Sequence, residues 1–167
     1  MGLFTGKFTI VVGCRANITR SAYLSGYMKY YLKEHLPHAR KKVRIFSAGV
    51  QARSGSSADQ VINHVARTHG FSLNDHRSDP FTKKLVKKAD VILVMEQWQK
   101  DALAKRFRES EGKTFRLTEY LWEGDPDDTR DIHDPTGMDT SDYEEFVESA
   151  HAEVNRIFHE LDRQGVI

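Results

Sequence analysis

The sequence predicts an α/β fold: a three-layer sandwich with a four-stranded parallel sheet and helices on both faces. Three observations carry this. Short apolar runs alternate with helical stripes in the order β-α-β-α-α-β-α-β-α, and strands separated by helices pair in parallel. Residues 91–95 are apolar at every position, the pattern of a strand covered on both faces. The composition, 39% hydrophobic and 29% charged with four prolines, is that of a folded globule. A length of 167 residues suffices for one domain with a buried core and is short for two, so residues 1–167 are read as a single domain.

Each element has its own signal. The apolar run at 8–13 predicts the first strand. Tyr23, Leu24, Tyr27, Met28, Tyr31 and Leu32 recur at intervals of three and four and predict a helix over 21–36, ended by Pro37. Residues 43–47 alternate and predict a short strand closed by Ala48-Gly49. Val61, Ile62, Val65 and Ala66 place a helix over 58–68, with His69-Gly70 at its end. Asp79-Pro80 predicts the opening of a short helix over 81–88, since proline suits a first helical turn. Residues 91–95, 97–108 and 115–117 read as strand, helix and strand. Residues 122–138 are rich in Asp, Pro and Gly and read as a long surface loop, a kind of segment that often carries function. Phe146, Val147, Ala150, Val154, Ile157, Phe158 and Leu161 form the apolar stripe of a closing helix over 141–161.

Bulk properties exclude several classes. The formal charge is +1, so nothing global suggests nucleic acid or membrane. Lys83-Lys84 with Lys87-Lys88 reads as the solvated face of a helix, with a docking patch as the alternative. One cysteine cannot form an internal disulfide. No apolar run reaches the roughly 18 residues of a membrane helix, and residues 1–7 lack a signal pattern. The expected location is the cytoplasm. The eight histidines are scattered without metal-ligand spacing, so no metal site is expected.

The lone cysteine stands in Cys14-Arg15-Ala16-Asn17-Ile18-Thr19-Arg20-Ser21, between the first strand and the first helix. In parallel sheets ligands bind beyond the carboxyl ends of the strands, where this loop falls. Such a loop points backbone N–H groups into one concavity, and the helix dipole adds positive character. Phosphate suits that place. Arg20 can grip two phosphate oxygens at once. The same field favours thiolate, the nucleophilic form, at Cys14. Ser21 can donate its hydroxyl to that sulfur, and Asn17 tolerates a left-handed backbone within the loop. Taken singly, Cys14 reads as a small buried residue and Arg20 as a surface residue at a helix start. A departing alkoxide or phenolate needs a proton. Asp134, stiffened by Pro135, is the candidate acid, although Asp79-Pro80 and Asp125-Pro126 show that Asp-Pro can be only a turn.

These residues resemble the low-molecular-weight protein tyrosine phosphatase family. Besides the Cys14–Ser21 loop, four stretches resemble it in order. They are Ser47-Ala48-Gly49 with Gly55 and Ala58-Asp59, His76-Arg77-Ser78, the run from Ala89 to Glu96, and Asp131-Ile132-His133-Asp134-Pro135. The resemblance implies a phosphotyrosine phosphatase I-like fold and a two-step mechanism needing no metal or organic cofactor. Cys14 attacks phosphorus, Arg20 and the loop N–H groups hold the equatorial oxygens, and Asp134 serves as acid and then base. Residues Arg15, Ala16, Asn17, Ile18, Thr19, Arg20 and Ser21 would bind the phosphate. The implied partner is a phosphorylated protein or a small phosphate ester, with neither nucleic acid nor membrane.

The chain also departs from the family loop Cys-x-Gly-Asn-x-Cys-Arg-Ser-Pro. Ala16 replaces glycine, Thr19 the second cysteine and Ala22 the proline, and Gly13 stands where a β-branched residue is usual. Thr19 removes the neighbour that could protect Cys14 as a disulfide. At the pocket rim, Arg53 and Thr136-Gly137 fall where relatives carry aromatics, and Arg15 follows the nucleophile. A basic mouth preferring acidic substrates is one expectation; arginines turned to solvent are the other. Three further readings stand beside the tyrosine phosphatase. An arsenate reductase with an internal relay would need more cysteines. A phosphoarginine phosphatase tends to carry threonine where this chain has Ile18. A phosphate-binding module without turnover would have no need of Cys14, Arg20, Ser21 and Asp134 together.

Overall fold

The computed structural model describes residues 6–167, so most of the N-terminal stretch read for a signal pattern lies outside the described residues. Four strands, β1 (Phe8–Cys14), β2 (Val43–Gly49), β3 (Val91–Val94) and β4 (Thr114–Arg116), form a sheet in the order β2-β1-β3-β4. Every pairing is parallel. The helices are α1 (Arg20–His35), α2 (Gln60–Thr68), α3 (Lys83–Lys88), α4 (Gln97–Arg106) and α5 (Thr140–Arg163).

Side chains alternate across the sheet, as the two-residue period of a strand requires. Ile10, Val12, Leu93 and Met95 pack with α1, α2 and α5 on one face. Val11, Ile92 and Val94 pack with Val86 of α3 and Leu103 of α4 on the other. The expected three layers are therefore present. Each such aliphatic side chain contributes about 1.5–3 kcal/mol on full burial. No described helix is long and apolar enough to cross a membrane.

Topology fixes where the site can lie. β1 and β3 are the central pair, and the chain leaves β1 toward β2 on one side and later returns to β3 on the other. The crevice at such a reversal opens beyond the carboxyl ends of the two strands. Cys14 ends β1, and Glu96 stands two residues past the end of β3.

Boundaries differ from expectation in a few places. The helix expected over 81–88 begins only at Lys83, capped by Thr82, whose hydroxyl accepts from the Leu85 N–H at 3.2 Å. Pro80 bridges to Gly49 instead of starting a helix, and Phe81 is buried in the sheet-facing core. Tertiary packing overrides the local proline signal there. α2 starts at Gln60 rather than Ala58, because Asp59 turns its carboxylate back to the Ile62 N–H at 2.9 Å and caps the helix. The long loop at 122–138 contains one short 3₁₀ turn, Pro126–Asp128.

Candidate active site

The Cys14 loop is held from outside by its carbonyls. Cys14 and Arg15 carbonyls accept from the Val50 and Gln51 N–H groups, each at 2.9 Å, and the Ile18 carbonyl accepts from the Asp59 N–H at 2.8 Å. The Asn17 carbonyl accepts from His76 Nε2 at 2.7 Å, so that nitrogen carries the ring hydrogen. No peptide bond among the described residues is cis. In a trans peptide the following N–H points opposite the carbonyl. The N–H groups of Arg15, Ala16, Ile18 and Thr19 therefore face the other side of the loop, an arrangement suited to an anion.

Close approach between the loop and β2 needs Gly49. A Cβ there would lie 2.6 Å from the Arg15 carbonyl oxygen and 3.0 Å from the Ala16 carbonyl carbon. Asn17 adopts φ 58°, a left-handed conformation that asparagine tolerates better than most residues. Its side chain spans the loop. Oδ1 accepts from the Asp79 N–H at 3.0 Å, and Nδ2 donates to Ser21 Oγ at 2.8 Å. The Ser21 hydroxyl, its oxygen thus occupied as acceptor, has its hydrogen free for Cys14 Sγ, 3.0 Å away. Cys14 is 3% exposed.

Arg20 is 1% exposed. Its Nη1 donates to Glu96 Oε1 and, at 2.7 Å, to the Ile132 carbonyl. Glu96 is itself held by Gln99, whose Oε1 accepts from the Met95 and Glu96 N–H groups at 2.9 and 3.1 Å. Nε and Nη2, which share the other edge of the guanidinium, have no hydrogen-bond partner among the described residues. Asp134 Oδ2 stands 3.5 Å from Nη2, within ion-pair range. One edge of the arginine is thus anchored, and the two-pronged edge is left for an oxyanion.

The loop that carries Asp134 reaches the site from β3. The Ile132 N–H donates to the Met95 carbonyl at 2.8 Å, and Asp131 Oδ1 accepts from the Gln97 N–H at 3.0 Å and from Arg116 Nη1 at 3.2 Å. Asp134 is brought beside Arg20; Asp79 and Asp125, the other Asp-Pro aspartates, are not. Beyond Asp134 a groove of about 1190 Å³ runs along α5, lined by His133, Met138, Glu145 and Trp122. At the rim, the Arg15 guanidinium lies over the Trp98 ring at 5.3 Å from its centre. Arg53 is exposed and joins the network through its carbonyl, which accepts from Ser78 Oγ at 2.5 Å. Thr136 sits against Thr19, hydroxyl to hydroxyl, at 2.7 Å.

Sequence reasoning did not foresee Glu96, Gln99, His76 or Asp79 as supports of the loop. Glu96 and His76 lie within motifs already singled out, but their contacts span 76 and 59 residues of chain. Only the acidic residue directly after a buried strand end hinted at a partner for Arg20.

A buried cysteine, an arginine with an open fork and a nearby carboxylate at the switch point of a parallel sheet suit a phosphate-processing α/β enzyme. The family described as low molecular weight phosphotyrosine protein phosphatase matches residues 9–166, and the chain belongs to it. A probable low molecular weight protein-tyrosine-phosphatase of Ralstonia nicotianae is 35% identical over 140 residues, 84% of this chain and 86% of the relative. Among solved structures, an arginine phosphatase from Geobacillus stearothermophilus superposes with a TM-score of 0.82 at 26% identity, covering 95% of this chain and 96% of that one. A tyrosine phosphatase from Erwinia amylovora gives 0.78 at 26% identity, covering 96% and 97%.

Proposed function

We propose that this enzyme hydrolyses phosphate monoesters, phosphotyrosine and aryl phosphates, through a phosphocysteine on Cys14. The observation that carries this reading is the Nε–Nη2 edge of buried Arg20 at the Cys14 loop, which makes no hydrogen bond among the described residues. In the first step Cys14 Sγ attacks phosphorus, the ester P–O bond breaks, and Asp134 gives its proton to the departing oxygen. In the second step water attacks the phosphocysteine, Asp134 takes a proton from it, and the sulfur leaves with the Ser21 hydroxyl donating to it. Arg20 and the loop N–H groups of Arg15, Ala16, Ile18 and Thr19 hold the equatorial oxygens throughout.

The substrate is a phosphorylated protein or a small phosphate ester met in the cytoplasm, and no metal or organic cofactor takes part. Ile18, in place of threonine, favours tyrosine phosphate over phosphoarginine. The groove beside Asp134 leaves room for the polypeptide on either side of the phosphorylated residue. Arg15, stacked on Trp98, supports a rim that is fixed rather than free to follow acidic substrates.

The test is hydrolysis of an aryl phosphate. Cys14→Ser is expected to abolish turnover, and Asp134→Ala to lower kcat by about 10²–10⁴-fold. Wild-type protein that binds phosphate without turning over an aryl phosphate would sink the proposal.

A further inference from the structure

Thr19 and Thr136 each stand where the resembled family carries something else, and the fold brings them together across 117 residues of chain. Their hydroxyl oxygens are 2.7 Å apart. Thr136 Oγ1 is also 2.7 Å from Asp134 Oδ1, and the Thr136 N–H donates to the same oxygen at 3.1 Å. Each hydroxyl has one hydrogen, and an ionised carboxylate only accepts. Thr136 therefore gives its hydrogen to Asp134, and Thr19 must give its own to Thr136. The chain of donors runs one way, from the Cys14 loop to the acid loop.

A second observation agrees. Thr19 precedes α1 at the position where a threonine hydroxyl ordinarily accepts from a helix N–H, yet its side chain makes no such cap. It is 3% exposed, so its hydroxyl is withheld from water as well. A buried hydroxyl needs a partner, and Thr136 is the one this hydroxyl has among the described residues.

We propose that Thr19 and Thr136 are positioning residues that latch the acid loop onto the Cys14 loop and select which oxygen of Asp134 carries the proton. Oδ1 receives the Thr136 hydroxyl and amide and is thereby occupied as an acceptor. Oδ2, the oxygen on the Arg20 side, is left to bear the hydrogen once a phosphate has taken the Nε–Nη2 edge of Arg20. It delivers that hydrogen to the departing ester oxygen as the P–O bond breaks and recovers one from the attacking water. The proposal rests on the reading of Asp134 as the acid. Loss of the latch lets the carboxyl rotate, so the cost falls on proton delivery and not on phosphate binding.

The test compares two substrates. Phenyl phosphate leaves as a strongly basic phenolate and needs the proton; p-nitrophenyl phosphate needs it much less. Thr19→Val and Thr136→Val are expected to lower kcat on phenyl phosphate by about tenfold and on p-nitrophenyl phosphate by less than about threefold, with KM held within about twofold. Thr19→Ser and Thr136→Ser, which keep the hydroxyl, are expected to recover most of the phenyl phosphate rate. Thr19→Val and Thr136→Val together should cost little more than either alone, since one break opens the chain. Equal losses on both substrates, no loss, or serine variants as poor as the valine variants would overturn the latch. Asp134→Ala separates the two ideas. If it lacks the same bias toward phenyl phosphate, the acid assignment fails and the latch with it. If it has the bias and the valine variants do not, only the latch fails.

Discussion

Arg20 divides its guanidinium between two tasks. Nη1 is committed to Glu96 and the Ile132 carbonyl, and the Nε–Nη2 edge makes no hydrogen bond among the described residues, its nearest carboxylate being Asp134 Oδ2 at 3.5 Å from Nη2. Leaving buried donors unpaired costs free energy, commonly about 1–3 kcal/mol for a group. Such a cost is tolerated where a ligand will meet the donors, and the fork geometry matches a phosphate. A lysine at this position would keep the charge but lose the fork. Arg20→Lys is therefore expected to raise the inhibition constant of inorganic phosphate by about 10–100-fold, read from competition against an aryl phosphate. An unchanged constant would mean that charge alone, and not the paired edge, binds the anion. At this scale the sequence was legible where chemistry was local. Cys14, Asn17, Arg20 and Ser21 lie within eight residues and could be read together. Glu96, which orients Arg20, could not, because nothing in its own neighbourhood states that an arginine 76 residues earlier will be buried beside it.

Strand and turn geometry explains the glycine that precedes Cys14. Gly13 faces the sheet side opposite to Val12, where a Cβ would lie 2.6 Å from Phe81 Cζ and 3.2 Å from Val94 Cγ1. The Phe81 ring fills the volume that a β-branched residue would otherwise take. This also accounts for the late helix start: Phe81 is drawn onto the sheet, its N–H donating to the Gly49 carbonyl at 3.2 Å, and helix can begin only past Thr82. Proline at 80 signals a first turn locally, but burial of an aromatic ring outweighs it. Gly13→Val should overpack this contact and destabilise by about 1–3 kcal/mol in urea unfolding. Phe81→Leu alone should also destabilise, through lost packing. In the double variant the two costs should fall short of their sum, since the smaller side chain makes room for the larger one. Strict additivity would show that the ring and the glycine do not share one space. The sheet itself was readable from periodicity, because four short apolar runs separated by helices leave few alternatives. The pairing of Gly13 with Phe81 was not, because it joins residues from separate elements.

The whole molecule is tied together behind the site by α1 and α5, and one histidine in that junction is expected to weaken it in acid. His151 of α5 stacks on Tyr27 with ring centres 3.8 Å apart and meets the edge of His69 at 4.8 Å. Its Nε2 is 2.8 Å from the Tyr23 hydroxyl, two residues beyond Ser21 on α1. Burial raises the Tyr23 phenol pKa, so the phenol stays the donor and His151 Nε2 the acceptor. Burial first, and then the neighbouring His69, lowers the His151 pKa from 6.5 to about 4. The folded form thus holds its neutral imidazole more firmly than the unfolded chain does. For a group whose folded pKa is depressed, the unfolded state binds more protons as pH falls, and stability falls with it. The contribution is fully present above pH 6.5, is lost progressively toward about pH 4, and changes no further below that. The urea midpoint of the wild type should therefore decline across this window. His151→Phe, which keeps an aromatic ring against Tyr27 and cannot be protonated, should decline less steeply than the wild type between the same limits. Parallel curves for the two proteins would remove His151 from the account and leave the decline to carboxylates elsewhere. A shallower curve for the variant would place the acid sensitivity in the α1–α5 junction. Because α1 begins at Arg20, acid weakening of that junction should reach the Cys14 loop through the helix that carries Arg20 and Ser21.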